Sequence, residues 1–117
     1  MNKFKDLKVY PKALLFTTTV RQTTKRFPKD EMFGLTSQFK RAGDSIVLNI
    51  AEGAGSSSKK EFARFLDYSI RSGFECIACA DIALQNEFVQ KSQYDKIVGE
   101  VNEIIAMLYG LLKSLAR

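Results

Sequence analysis

LTSQFKRAGDSIVLNIAEG, residues 35–53, is the stretch that decides the fold. At about 100° per residue, Leu35, Phe39, Ala42, Ile46 and Ile50 fall on one arc of a helix. Ser37, Lys40 and Asp44 fall on a separate arc suited to water. Between them runs a third row, Gln38, Arg41, Ser45, Asn49 and Glu52, at steps of three and four residues. Leu48 lies between this row and the wet arc, so apolar residues bracket a polar seam. The apolar arc needs a partner surface. The seam costs free energy unless its polar groups are paired.

Three more segments carry helical period. The first runs from about Val9 to Arg26, where Val9, Ala13, Phe16, Val20 and Phe27 form one stripe. Pro11 suits a first turn, and Phe27-Pro28 ends the helix because a residue before proline avoids the helical region. The second helix, from about Leu35 to Glu52, has Gly34 in its entry turn and Gly53 as its expected stop. Ser58, with Glu61 three residues on, resembles a capping box that opens a third helix reaching about Gln85. Glu61 and Arg64, and Asp67 and Arg71, sit at pairing distance along it. After a turn over Asn86–Lys91, the fourth helix spans about Ser92 to Leu115. Its apolar stripe runs from Tyr94 through Ile97, Val101, Ile104 and Leu108 to Leu115. No strand alternation competes. Four helices on short loops predict an all-α, up-down-up-down four-helix bundle, one domain over residues 1–117.

The third helix carries two lines. Ser69, Ser72, Gly73, Cys76, Cys79, Ala80 and Ala83 form a seam of small residues, which lets helix axes approach closely. Beside it run Leu66, Ile70, Phe74, Ile77 and Leu84. So wide an apolar arc predicts burial on two sides, hence contact with a second subunit.

The charge is unevenly placed. Residues 1–29 hold eight Lys/Arg against one acid, a net +7, whereas residues 30–117 hold ten against twelve, within a whole-chain charge of +5. A basic segment on a near-neutral body fits an anionic partner, nucleic acid first; it also fits a solvated face that aids solubility. No apolar run is long enough for a membrane span, and the start has no signal-peptide pattern. The expectation is a cytoplasmic protein. Cys76 and Cys79 form a lone CxxC with no second pair and no histidine in the chain. Zinc would need two more ligands, and the pair lies deep in a helical pattern rather than at a helix N-terminus. Two small core residues is the expected reading, with no metal and no cofactor.

Three readings compete for the polar seam. Catalysis through Glu52 lacks a histidine partner, and a di-iron bundle site would need Glu-x-x-His pairs; no catalytic residue is expected. A nucleic-acid or ligand site would use the donors of Gln38, Arg41 and Asn49, with Glu52 repelling phosphate. A structural network would pair Arg41 with Glu52 or with Glu75, and satisfy Ser45 and Asn49 locally or across a subunit boundary. The last is the preferred reading, with Gln38, Arg41, Ser45, Asn49, Glu52 and Glu75 as a polar seam or subunit interface.

FPKDEMFGLTSQFKRAGDSIVLNIAEG, residues 27–53, with FKDLKVYPKA near the start, EFARFL in helix three, and Ser72 and Glu75 as a Ser-x-x-Glu element, resembles the 23S rRNA intervening-sequence proteins. The resemblance covers about Phe4 to Leu115. It implies a four-helix bundle that assembles as a ring, typically a homopentamer, and a genomic setting in insertions within bacterial 23S rRNA genes. Accessory proteins of diversity-generating retroelements look like relatives that bind nucleic acid and a reverse transcriptase. No catalytic residues come with the family. Two departures stand out: Tyr10 replaces a common Trp, and AGSSS replaces an aromatic-plus-basic loop after NIAEG. RNA or DNA contact is then expected at Lys3, Lys5, Lys8, Lys12, Arg21, Lys25 and Arg26. The alternative is a protein-interaction scaffold, such as a partner of a reverse transcriptase.

Overall fold

The computed structural model describes residues 3–116, with Lys3 described by its backbone alone. Four helices carry the chain: α1 (Val9–Thr24), α2 (Leu35–Ala54), α3 (Lys59–Gln85) and α4 (Lys91–Leu115), with 3-10 turns at Lys3–Asp6 and Lys29–Glu31. Each helix packs on its sequence neighbours, and α4 returns to α1, closing an up-down-up-down bundle. The long axis of 44 Å matches the roughly 40 Å expected of a helix as long as α3 at 1.5 Å per residue.

Local sequence sets the helix ends. Pro11 lies in the first turn of α1, where its missing N–H costs nothing. That helix ends two residues earlier than the periodicity predicts: the Arg26 and Phe27 N–H groups reach back only three residues, to Thr23 and Thr24, a tightened last turn ahead of Pro28, which disfavours helical backbone at Phe27. The Glu31 carboxylate accepts from the Leu35 N–H at 3.1 Å, capping α2. Ser58 accepts from the Glu61 N–H at 3.1 Å, as predicted, while the Glu61 carboxylate turns outward to Arg64. At the end of α3 the Phe88 N–H reaches the Ala83 carbonyl and the Glu87 N–H reaches that of Leu84. This Schellman turn puts Glu87 in the left-handed region, φ 61°.

The expected stop at Gly53 is not where α2 ends. The helix runs on to Ala54, with Gly55 as its C-cap. Gly53 is a contact residue instead: a Cβ there would stand 2.8 Å from the Phe65 Cβ and 3.3 Å from the Phe62 carbonyl oxygen. Gly73 of α3 repeats the device against Ile105 of α4. The small-residue seam of α3 is buried along its whole length. That is the physical reason α2 and α4 lie so close to it.

The core is built from Phe16, Phe39, Ile46, Ile50, Leu66, Ile70, Ile97, Ile104 and Leu108, all fully buried. Phe27 closes one end, against Phe39 and Phe88. The second apolar line of α3 splits. Leu66 and Ile70 belong to this core, Ile77 and Leu84 are half-buried, and Phe74 is 51% exposed.

Candidate nucleic-acid interface

The basic residues of the N-terminal quarter do not form one continuous surface. Arg21 donates to both oxygens of Asp44 on α2, at 2.8 Å each. This hydrogen-bonded pair raises the Arg21 pKa above its ordinary value and uses both faces of the guanidinium fork. Lys12 pairs with Glu103 on α4. Both cations that α1 itself carries are therefore ion-paired within the bundle. Lys5 and Lys8 at one end, and Lys25 and Arg26 at the other, are exposed and make no ion pair among the described residues. The two clusters are separated by the length of α1, about 24 Å for sixteen residues. The Lys3 side chain lies outside the described residues.

The polar seam runs along the outer edge of the α2–α3 contact. Gln38 donates to Glu75. Ser72 Oγ donates to Ser45 Oγ at 2.9 Å, and Asn49 donates to both the Ser45 hydroxyl and the Ser45 carbonyl. The predicted pairing of Arg41 with Glu52 or Glu75 is absent. Glu75 is taken by Gln38, while Arg41 and Glu52 are exposed and carry no ion pair among the described residues. Only Ser45 and Asn49 are half-buried, so the seam is wetter than its apolar bracketing predicts. The fully buried polar contact between these helices comes from a residue counted only as small, Ser69, whose hydroxyl donates to the Ile46 carbonyl at 2.8 Å.

The α1–α4 side is built differently. Thr19 donates to Glu100 at 2.9 Å, and Gln93 donates to Thr23 at 2.8 Å. Both of these contacts across the pair are between polar side chains. A cleft of about 710 Å³ opens at one end of this seam, where α1 finishes and α4 begins. Lys25 and Arg26 line it from the turn after α1, Ser92 and Lys96 from α4, and Phe88 and Val89 from the α3–α4 turn. Lys96, Ser92 and Gln93 are the residues that the sequence reading missed. Nothing in their local pattern marks them, since the cleft exists only where two helices remote in sequence meet.

Cys76 and Cys79 are both buried and free. Burial pushes the Cys79 thiol up to about 11, and the Cys76 thiol higher still. Such thiols are inert core groups, not nucleophiles. No group of three or more His, Cys, Asp or Glu side chains converges among the described residues, and no described helix is long and apolar enough to cross a membrane.

The family model described as 23S rRNA-intervening sequence protein matches residues 5–110. The chain is also similar to a solved structure of a protein of unknown function from the S23 ribosomal protein family of Bacteroides thetaiotaomicron VPI-5482. The two share 24% identity over 90% of this chain and 95% of the other, with a TM-score of 0.82. Among curated proteins none matches the chain.

Proposed function

Since the chain belongs to the 23S rRNA-intervening sequence protein family, we propose that it is a non-enzymatic protein that assembles into a ring and associates with RNA through the basic ends of α1. The observation that carries this reading is the pair of cation clusters, Lys5 with Lys8 and Lys25 with Arg26, exposed and without carboxylate partners among the described residues. Several copies carrying +5 each bring many such clusters to one polyanion, and each phosphate contact adds counterion release. Self-association is supported by apolar side chains left in water on α3, Phe74 and Ile82, and by Leu48 at 64% exposure on α2. The ring is taken as a homopentamer, in the cytoplasm.

The test is one experiment with two readouts: light-scattering mass and mobility shift with a structured RNA at low salt. An oligomeric mass and a shift that disappears as salt rises support the reading. A monomer at micromolar concentration removes the ring. No shift at low salt removes the RNA association.

A second reading, a scaffold for a protein partner such as a reverse transcriptase, is favoured by Phe33, 93% exposed beside Met32 in the α1–α2 connection. Phe33→Ser weakens capture of a purified reverse transcriptase if this is right, and leaves RNA binding unchanged.

A further inference from the structure

The cleft at the junction of α1 and α4 has a composition that the basic helix alone does not explain. Its cations come from two places in the chain: Lys25 and Arg26 from the turn that follows α1, Lys96 from the second turn of α4. One acid, Glu87, stands on the wall, so the concave surface carries a clear positive excess. The Lys96 ammonium has only a distant carboxylate, Glu100 at 3.7 Å, whose other oxygen is already engaged by Thr19. Neutral donors complete the lining, Ser92 and Gln90 among them, while Phe88 and Val89 give an apolar wall. The Gln93 amide is spent on Thr23, which fixes the floor.

We propose that this cleft seats a single-stranded segment of nucleic acid, with phosphodiester oxygens on Lys25, Arg26 and Lys96 and a sugar or base edge on the Phe88–Val89 wall. The proposal rests on the RNA reading above and locates its contact. A concave site with a net positive charge, three cations against Glu87, focuses the field and concentrates a polyanion more than the same charges on a convex end. Its volume lies within the ~300–1,000 Å³ typical of small-ligand pockets. That is room for an unstacked nucleotide and not for a duplex, whose bases are paired and turned inward. Cations with an apolar platform are the usual means of holding a strand with little sequence preference. At the opposite end of the bundle Lys59, Lys60 and Lys113 are also exposed, but they line neither this cleft nor the smaller one along the α1–α4 seam.

The test compares two triple variants of equal charge, Lys25→Gln/Arg26→Gln/Lys96→Gln and Lys59→Gln/Lys60→Gln/Lys113→Gln, by anisotropy of a labelled unstructured oligoribonucleotide. The first variant weakens binding roughly 10–100-fold at low salt and makes the salt dependence shallower by about 2 in log–log slope. The second retains most of the wild-type affinity. Equal loss in both variants, or no loss in the first, overturns the proposal while leaving RNA association intact. A wild-type protein with no affinity overturns RNA association itself, and this site with it. A measurement on unmutated protein guards against misfolding of the variants: photo-crosslinking of thiouridine-containing RNA labels the peptide carrying Phe88. Crosslinks confined to the other end of the bundle also overturn the proposal.

Discussion

Gly53 of α2 lies so close to Phe65 of α3 that a Cβ on the glycine would stand 2.8 Å from the Phe65 Cβ. Alanine in a helix interior ordinarily gains about 1 kcal/mol over glycine. Here the neighbours are a side-chain stem and a backbone carbonyl, and neither can rotate away. Gly53→Ala is expected to destabilise by ~1–2 kcal/mol net, as overpacking does. Gly99 on α4 has nothing within 4 Å of its would-be Cβ, so Gly99→Ala should stabilise by up to about 1 kcal/mol. Thermal melts of the two variants should move in opposite directions.

Glu87 holds a left-handed conformation, φ 61°, after the end of α3. A side chain with a Cβ is strained there, and glycine is not. Glu87→Gly should stabilise by roughly 0.5–1 kcal/mol in urea unfolding. A loss of stability would show that the carboxylate has a role beyond the turn.

Ser69 and Glu52 test which polar residues hold α2 to α3. Ser69, fully buried, donates across the interface to Ile46, so Ser69→Ala should cost about 0.5–1.5 kcal/mol. Glu52 is exposed and makes no ion pair among the described residues. Glu52→Ala should stay within about 0.5 kcal/mol of wild type in the isolated subunit. Denaturant midpoints for the two variants check both values.

Stability should fall in alkali. Burial holds the Cys79 thiol protonated up to about 11, against an ordinary 9.0. The unfolded chain therefore releases its proton first. The stabilisation is fully present below pH 9.0 and is lost as pH rises through about 11. Cys79→Ala should flatten the pH dependence in that window. Native protein should also resist thiol reagents at neutral pH, and rapid labelling would contradict the burial.

Phe74 and Ile82 stand on one exposed row of α3. With the ring proposed above, Phe74→Lys combined with Ile82→Lys should lower the light-scattering mass while leaving helical content unchanged. An unaltered mass would place the subunit contact elsewhere.

The all-α fold was legible in the sequence because helical period, proline and serine end signals are local. Residues three and four apart share a face whatever the rest of the chain does. The small seam of α3 was legible for the same reason. Gly53 was misplaced because an end signal and a close-packing glycine look alike along the chain. They differ only in whether Phe62 and Phe65 stand opposite.

The candidate interface was less legible. Sequence concentrated the positive charge in residues 1–29, and it did so correctly as a sum. Tertiary structure decided which charges remain available. Arg21 meets Asp44, and Lys12 meets Glu103, because neighbouring helices bring those carboxylates across. Lys25 and Arg26 share a cleft with Lys96 for the same reason, where Gln93 and Thr23, 70 residues apart, hold α4 beside α1. Periodicity dictates the face on which each residue sits. Only the packing of one helix on another dictates what that face meets.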